Sequence, residues 1–581
     1  PSRDLLEFRE LFSIQILEGE SVQVSAKHPG AANLMAHLCK ELDIARFINH
    51  MVTWDDRQWK VSPGTLITAL VINILVHRRP LYRVERFYEA MDMPLLFEED
   101  IQAQDLNDDA LGRALDRLAE IDCRQLLGTI ACRAANIEDM EIRSVHADTT
   151  SFSVYGSYEN EDSNGSFEKQ FIEIVYGHSK DKRDDLKQLK FGLMVTNDGF
   201  PIVGTVNSGN ESDMVWSRDI LDEFKVSFLE TWNVAFVADS ALITMENLKA
   251  MDAKKIRFIS VLPGRYSLAQ ELRDRAWEEG RWRYRGPMSK AKDAAHYWTQ
   301  TLQAEFAGRV YRFIVVRSSK LDNRKEKKLE RVLETEQKDL AKLKKQLEKE
   351  SFQCEPDAKA RLDAVLAENK TLHRLTGRVV RQQKIKRPPG RPRKDRQEAV
   401  LETITTFRLE IDIHPPTEEA LTEWRQREAT FVLITSVSED LYDDYDVLKE
   451  YKGQINVEMR FRFLKDPMFV NAIYLKTPKR VQALGYVILL AVMIASLLEM
   501  RIREAMAKEK ATISTGPRTL DRPTARVLLD MLNTIQVVYL TYDDHVERHL
   551  PHDIPPDVLR LLKFAGYDER IYLENPFRKP T

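Results

Sequence analysis

The sequence predicts an α/β protein built on a mixed sheet, and three observations carry that expectation. MEIRSVHADTTSFSVYG, from about residue 138, reads as a strand. LKFGLMVTNDGFPIVGTVNSGN reads as two more strands joined at Asn197–Asp198–Gly199, a hairpin signal. The period then alternates: a helix (SDMVWSRDILDEF), the strand NVAFVADSALI, a helix (TMENLKAMDA) and the strand IRFISVLP. Antiparallel-type strands followed by alternating helices and strands describe an α/β core.

At 581 residues the chain is too long for one hydrophobic core, so three or four domains are expected. Its composition, 43% hydrophobic and 31% charged, is that of a soluble, somewhat charge-rich protein. A net charge of −4 excludes a globally basic nucleic-acid binder, so any such contact must come from local patches. Cys39, Cys123, Cys132 and Cys354 form no CxxC pair, which argues against a zinc ribbon or disulfide framework and fits a reducing compartment. Charges from Arg3 onward leave no signal-peptide core. Val481 to Leu498 is uncharged and long enough to be a membrane-span candidate. It is isolated, contains Gln482 and runs into EMRIREAMAKEK, so it reads as a buried core helix, with no membrane partner.

Residues 1 to about 27 show a weak strand pattern, and about 30 to 136 a helical one. Residues 1–136 are therefore expected to form a mainly helical N-terminal domain, either a bundle containing a helix-turn-helix or a dimerisation scaffold. Residues 137–263 form the first part of the α/β core. An insertion is expected over 264–428, β-rich over 264–320 and a helical hairpin over 321–383. The hairpin rests on Leu329, Leu333, Leu340, Leu343 and Leu347 at coiled-coil spacing, a turn at QCEPD, and a second helix over roughly 357–383. Arg374 to Lys394 holds no Asp or Glu. Its basic segment 384–394, with Lys386, Arg387, Arg391, Arg393 and Lys394 among prolines, fits a narrow A·T-rich minor groove or a solvated linker. TFVLITS returns to a strand, so 429–510 completes the core, and 511–581 is expected as a helical C-terminal domain.

Three carboxylates stand out within this order. Asp148 lies inside the strand SVHADTTSF among apolar and small neighbours, where an ionised group is costly unless paired or metal-bound. Asp239 ends the apolar run NVAFVADS, and the C-terminal ends of strands are where open α/β sheets place ligands. Glu458 lies in YKGQINVEMRFRFLK, where Tyr451, Gln454, Glu458 and Lys465 are spaced to share one face of a helix. Arg460 and Arg462 follow it. Oxygen ligands without Cys or His match Mg²⁺ or Mn²⁺. Two such ions can hold the attacking and leaving oxygens of a phosphoryl transfer. Taken singly, each Asp also reads as a cap or turn residue. The helix also reads as amphipathic with a solvated face.

This order resembles the RNase H-like DDE transposases of bacterial insertion sequences. It is closest to the subgroup whose last catalytic helix reads Y-x2-R-x3-E-x6-K and whose core carries a long β-rich insertion. The residues that carry the likeness are HADTTSF (Asp148), YGHSKDKRDDLKQLKFGL, GFPIVGTVNSGNESD, FVADSALIT (Asp239), RFISVLP and Tyr451-x2-Gln454-x3-Glu458-x6-Lys465. LYRVERFYEA and LNDDALGRALDRL, nearer the N-terminus, add to it. The resemblance implies an RNase H-like core. It implies Asp148, Asp239 and Glu458 as catalytic metal ligands for two Mg²⁺ or Mn²⁺ ions. It also implies Tyr451 and Lys465 on DNA near the cleaved end.

Further implications are binding of double-stranded DNA at terminal inverted repeats, cleavage there, and joining of 3′-OH ends to target DNA. The family acts as a homodimer or larger assembly, which implies a cytoplasmic, nucleoid-associated bacterial protein. Gln454 departs from the family's Arg, and an amide cannot neutralise a phosphate, so that grip would pass to Arg460 or Arg462. Lys180, Lys182, Arg183 and Lys187 in the polar loop 177–190 would contact phosphates, and His178 is a DNA contact or a structural residue. Trp282 and Trp298 would stack on an unstacked base, or are core aromatics of a small sheet. Two other readings share the residues: a domesticated, non-catalytic DNA-binding protein, and another RNase H-like nuclease such as a junction resolvase.

Overall fold

A computed structural model describes residues 22–155, 158, 171–180, 183–213, 215–220, 234–289, 293–321, 323–386, 402–466, 475, 477–543 and 545–575. In chain order, β1 (Gln23–Lys27) precedes helices α1 (Ala32–Glu41), α2 (Ile44–Met51), α3 (Pro63–Val76), α4 (Val84–Glu89), α5 (Asp108–Leu118) and α6 (Cys123–Ile137). Strands β2 (Ser144–Val154), β3 (Lys187–Thr196), β4 (Pro201–Ser208) and β5 (Ala235–Ala238) follow, then α7 (Met245–Ala253) and β6 (Arg257–Val261). Next come α8 (Ser267–Glu279), β7 (Arg283–Pro287), β8 (His296–Phe306), β9 (Arg309–Ser318), α9 (Asn323–Leu347), α10 (Glu355–Glu368), β10 (Arg374–Lys386) and β11 (Glu402–His414). The chain continues through α11 (Glu418–Glu428), β12 (Thr430–Thr435), α12 (Asp444–Lys452), α13 (Ile455–Lys465) and α14 (Pro478–Glu509). It closes with α15 (Ala525–Leu532), β13 (Val537–Thr541), β14 (Val546–His549) and α16 (Pro556–Phe564).

Two compact units divide the chain: residues 1–260, 435–441 and 449–581 in the first, 261–434 and 442–448 in the second. In the first, strands run in the order β4-β3-β2-β5-β6. The β4-β3-β2 pairs are antiparallel and the β2-β5-β6 pairs parallel. This is the mixed sheet the sequence predicts, with the β3–β4 hairpin turning at Gly199, whose φ of +84° suits glycine. Helix α14 packs on β4 and on the helices α3, α5 and α6. It passes the length and apolarity test for a membrane span, and 89% of its most apolar window is buried inside the chain, as a core helix requires.

The C-terminal segment departs from the helical expectation. VVYLT is a strand, β13, which pairs with β1 on one side and β14 on the other. Its Val-Val-Tyr run follows a helix end at Asn533 and has an open partner edge in β1, so β-branched and aromatic preference prevails.

In the second unit the strand order is β12-β9-β8-β7. Strands β7, β8 and β9 lie between residues 283 and 318, while SLAQELRDRAWEE, inside the stretch expected to be β-rich, forms the helix α8, buried through Ala269, Leu272 and Ala276. The helical hairpin needs a larger correction. Helix α10 stops at Glu368, and Arg374–Lys386 is a strand paired along its whole length with Glu402–His414. Leu375, Leu409 and Ile411 close a core with Leu340, Leu347 and Leu362, so both helices pack on a β-ribbon. The basic segment thus begins in β10 at Lys384–Lys386, while Arg387, Arg391, Arg393 and Lys394 lie outside the described residues.

Candidate active site

The parallel register of β2 and β5 pairs His146 with Val237 and Ala147 with Ala238. The next residues on the two strands are Asp148 and Asp239. Neighbouring strands lie about 4.8 Å apart, so the two carboxylates leave the sheet side by side. Asp148 Oδ1 accepts from the Thr149 backbone N–H at 2.7 Å and from Lys180 Nζ at 3.2 Å. Asp239 is exposed, caps the turn Ser240–Leu242 through Ala241 N at 2.9 Å, and its carbonyl accepts from Ser260 Oγ at 2.7 Å. Burial pushes the Asp148 carboxyl up to about 6; Lys180 opposes this and the neighbouring Asp239 adds to it.

Glu458 is carried by α13, which is fastened from several sides. Gln454 Nε2 donates to Ala147 O at 3.0 Å, next to Asp148. Asn456 Nδ2 donates to Asn197 O and Arg460 Nε to Gly199 O, both at 2.6 Å. Val457, Phe461 and Leu464 are buried, while Glu458 and Arg462 are exposed. Burial, then Asp239 and Glu458, raise the Tyr451 phenol to about 12, which keeps it a hydrogen-bond donor.

The continuous helix expected over Tyr451–Lys465 is two helices that break at Gly453–Gln454. A Cβ on Gly453 would stand 2.8 Å from His146 Cε1, so the bend lets the chain close on β2. Arg460 is also not a phosphate ligand: it is buried, and its guanidinium serves Gly199 O and Glu499 at 2.8 Å. Gln454 commits its amide nitrogen to the strand, and its buried Oε1 has no hydrogen-bond partner among the described residues.

Lys180 is exposed as a residue, and its ammonium is directed onto the site. Its Nζ donates to Thr149 O at 2.6 Å and lies 3.3 Å from Asp213 Oδ2. Asp213 also accepts from Thr149 Oγ1 at 2.7 Å and pairs with Lys190 at 3.2 Å. Sequence reasoning singles out neither Asp213 nor Lys190; the only signal is an acidic residue closing GFPIVGTVNSGNESD. Arg183 pairs with Asp185, and Lys187 donates to Tyr158 O at 3.0 Å. His178 is exposed, and Lys182 lies outside the described residues. Behind Asp148, buried Ser144 and His146 meet Glu450, a cluster the sequence does not announce. In the second unit the Arg317 guanidinium lies 4.2 Å from the Trp298 ring centre and 5.7 Å from that of Trp282, so these aromatics share an internal cation.

Among the described residues, no three His, Cys, Asp or Glu side chains stand together as a ready metal-ligand set. The Asp148–Asp239 pair nonetheless fits a hard cation. Mg²⁺ is commonly held by one or two carboxylates with water completing its shell. The Lys180 ammonium already sits as a cation on one oxygen of Asp148.

A family model described as transposase DDE domain matches residues 145–494, more than half of the chain. The chain belongs to the DDE transposase family. The match begins within β2 and spans Asp148, Asp239 and Glu458. A second model, a domain of unknown function (DUF4277), matches residues 25–132, from within β1 into α6, ahead of the transposase domain. No curated protein matches the chain.

Proposed function

We propose that this transposase binds terminal inverted repeats of an insertion sequence, cuts DNA at the transposon ends and joins the 3′-OH ends to target DNA. The observation that carries the reading is the side-by-side exit of Asp148 and Asp239 from adjacent parallel strands, with the helix of Glu458 fastened beside them. The strand order β4-β3-β2-β5-β6 supports an RNase H-like core.

In this reading Asp148, Asp239 and Glu458 would hold the divalent ions. Bound Mg²⁺ or Mn²⁺ ions supply activation of water or a 3′-OH and neutralise charge building on the phosphate. Tyr451, kept protonated, donates to a phosphate oxygen near the cleaved bond. Arg462 and Lys465, on α13 with Glu458, offer charge to the DNA backbone. Residues 1–136 bind the transposon end or join two copies, and the basic segment 384–394 adds DNA contact.

Cleavage and strand joining on matched inverted-repeat DNA test this. Asp148→Asn, Asp239→Asn and Glu458→Gln should each abolish both reactions while end binding persists. Full cleavage by any of the three would sink the assignment. End binding by the wild type with no metal-dependent nicking would favour the non-catalytic reading, and hydrolysis without joining a resolvase-like nuclease.

A further inference from the structure

Lys180 has more partners than it can serve. An ammonium has three N–H donors, yet Lys180 Nζ faces Thr149 O at 2.6 Å, Thr149 Oγ1 at 3.1 Å, Asp148 Oδ1 at 3.2 Å and Asp213 Oδ2 at 3.3 Å. The backbone N–H of Lys180 donates to Ser151 Oγ at 2.8 Å, which fixes the root of the side chain beside β2. Thr149 Oγ1 donates to Asp213 at 2.7 Å, so it can accept from Lys180. If the bond to Asp148 is given up, three acceptors remain for three donors.

We propose that Lys180 is a built-in counter-cation that occupies Asp148 while no divalent ion is bound, and retreats onto Asp213 and Thr149 when one enters. The proposal rests on Asp148 being a metal ligand. Lys180 then has two tasks. It holds the half-buried carboxylate neutralised in the metal-free protein, and it sets how much metal is needed to fill the site, because the ion must displace it. Asp213 is the docking point for the displaced ammonium, and Lys190, 3.2 Å from the other oxygen of Asp213, fixes that carboxylate from behind.

Mn²⁺ titration by calorimetry on the full-length, DNA-free protein tests this, with thermal melting in EDTA alongside. Lys180→Met should bind Mn²⁺ about fivefold more tightly than wild type, the weight of a partly exposed ion pair. It should also melt lower in EDTA and recover in Mn²⁺. Lys190→Met removes an equal charge from the same cluster without touching Asp148, and should change affinity less than about twofold. Lys180→Arg should stay near wild type. If Lys180→Met does not fold, Lys180→Gln carries the same expectation. Mn²⁺ binding that requires Asp148 but is unchanged or weaker in the Lys180 variants overturns the proposal alone. Mn²⁺ binding that is identical in wild type and Asp148→Asn overturns the metal-ligand reading and the proposal with it.

Discussion

Arg460 on α13 donates to Glu499 on α14 at 2.8 Å, with 6% and 5% of the two side chains exposed. Glu499 also accepts from Ala525 N at 2.7 Å and pairs with Arg503 at 2.6 Å. The carboxylate therefore joins the helix bearing Glu458 to the long core helix and to the start of α15. Removing one partner of a buried pair leaves the other charge stranded, typically at 3–5 kcal/mol. Arg503 and Ala525 still serve Glu499, so Arg460→Ala should cost about 2–3 kcal/mol in denaturant unfolding. A loss below about 0.5 kcal/mol, the range of ordinary surface changes, would show that the pair does not anchor α13.

The bend at Gly453 makes a separate demand. An added Cβ would meet His146 Cε1 at 2.8 Å and Glu450 O at 2.9 Å, both in the buried layer behind Asp148. The alanine cannot be absorbed by a flexible side-chain end, because the obstacles are a packed ring and a backbone carbonyl. Overpacking of this kind costs about 1–3 kcal/mol. Gly453→Ala should lower the melting temperature and shift α13 off β2. Cleavage should fall more than end binding, since the helix carries Glu458. Equal losses in both assays would point to general unfolding.

Asp148 gives the protein a pH signature. Its folded carboxyl is raised from 3.8 to about 6, mainly by burial. Below about pH 4 the group is protonated folded or unfolded and costs nothing. Between about pH 4 and 6 the unfolded chain ionises while the half-buried folded carboxyl resists, and stability is lost; above that the penalty is constant. Asp148→Asn escapes it. Without metal, the stability of Asp148→Asn relative to wild type should grow by about 2–3 kcal/mol between pH 4 and pH 7.5. Chemical denaturation at the two pH values in EDTA measures it, and a difference independent of pH would contradict the assigned burial.

The strands β2 to β6 are legible in the chain because each carries its own signal: an apolar run, a turn at Asn197–Gly199, a helix between. The side-by-side placement of Asp148 and Asp239 is not, because it depends on a parallel register that no local pattern specifies. Strand β10 reads as helix because the leucine spacing of α9 and α10 runs on past Glu368, and its partner β11 lies beyond a proline-rich gap. The burial of Arg460 and the capture of Lys180 are hidden for a related reason. Their carboxylates, Glu499 and Asp213, arrive from distant stretches, and a lone basic residue on a polar stretch looks the same whether it faces DNA or an acid folded against it.

The basic segment offers a test that needs no fold. Arg387, Arg391, Arg393 and Lys394 follow the end of β10 in a run without acidic residues. Replacing these four by alanine leaves the paired strand Arg374–Lys386 intact, so a folding defect is not expected. Each cation on a phosphate releases condensed counterion, and the slope of log affinity against log salt falls by about 0.9 for every phosphate left without its cation. If all four touch DNA, the slope should flatten by about 3–4 and affinity at low salt should drop steeply. Preference for A·T-rich end sequences should fall with it if Arg391 and Arg393 enter a narrow minor groove. A flattened slope with unchanged sequence preference would mean phosphate binding alone, and an unchanged slope would remove this segment from the DNA interface.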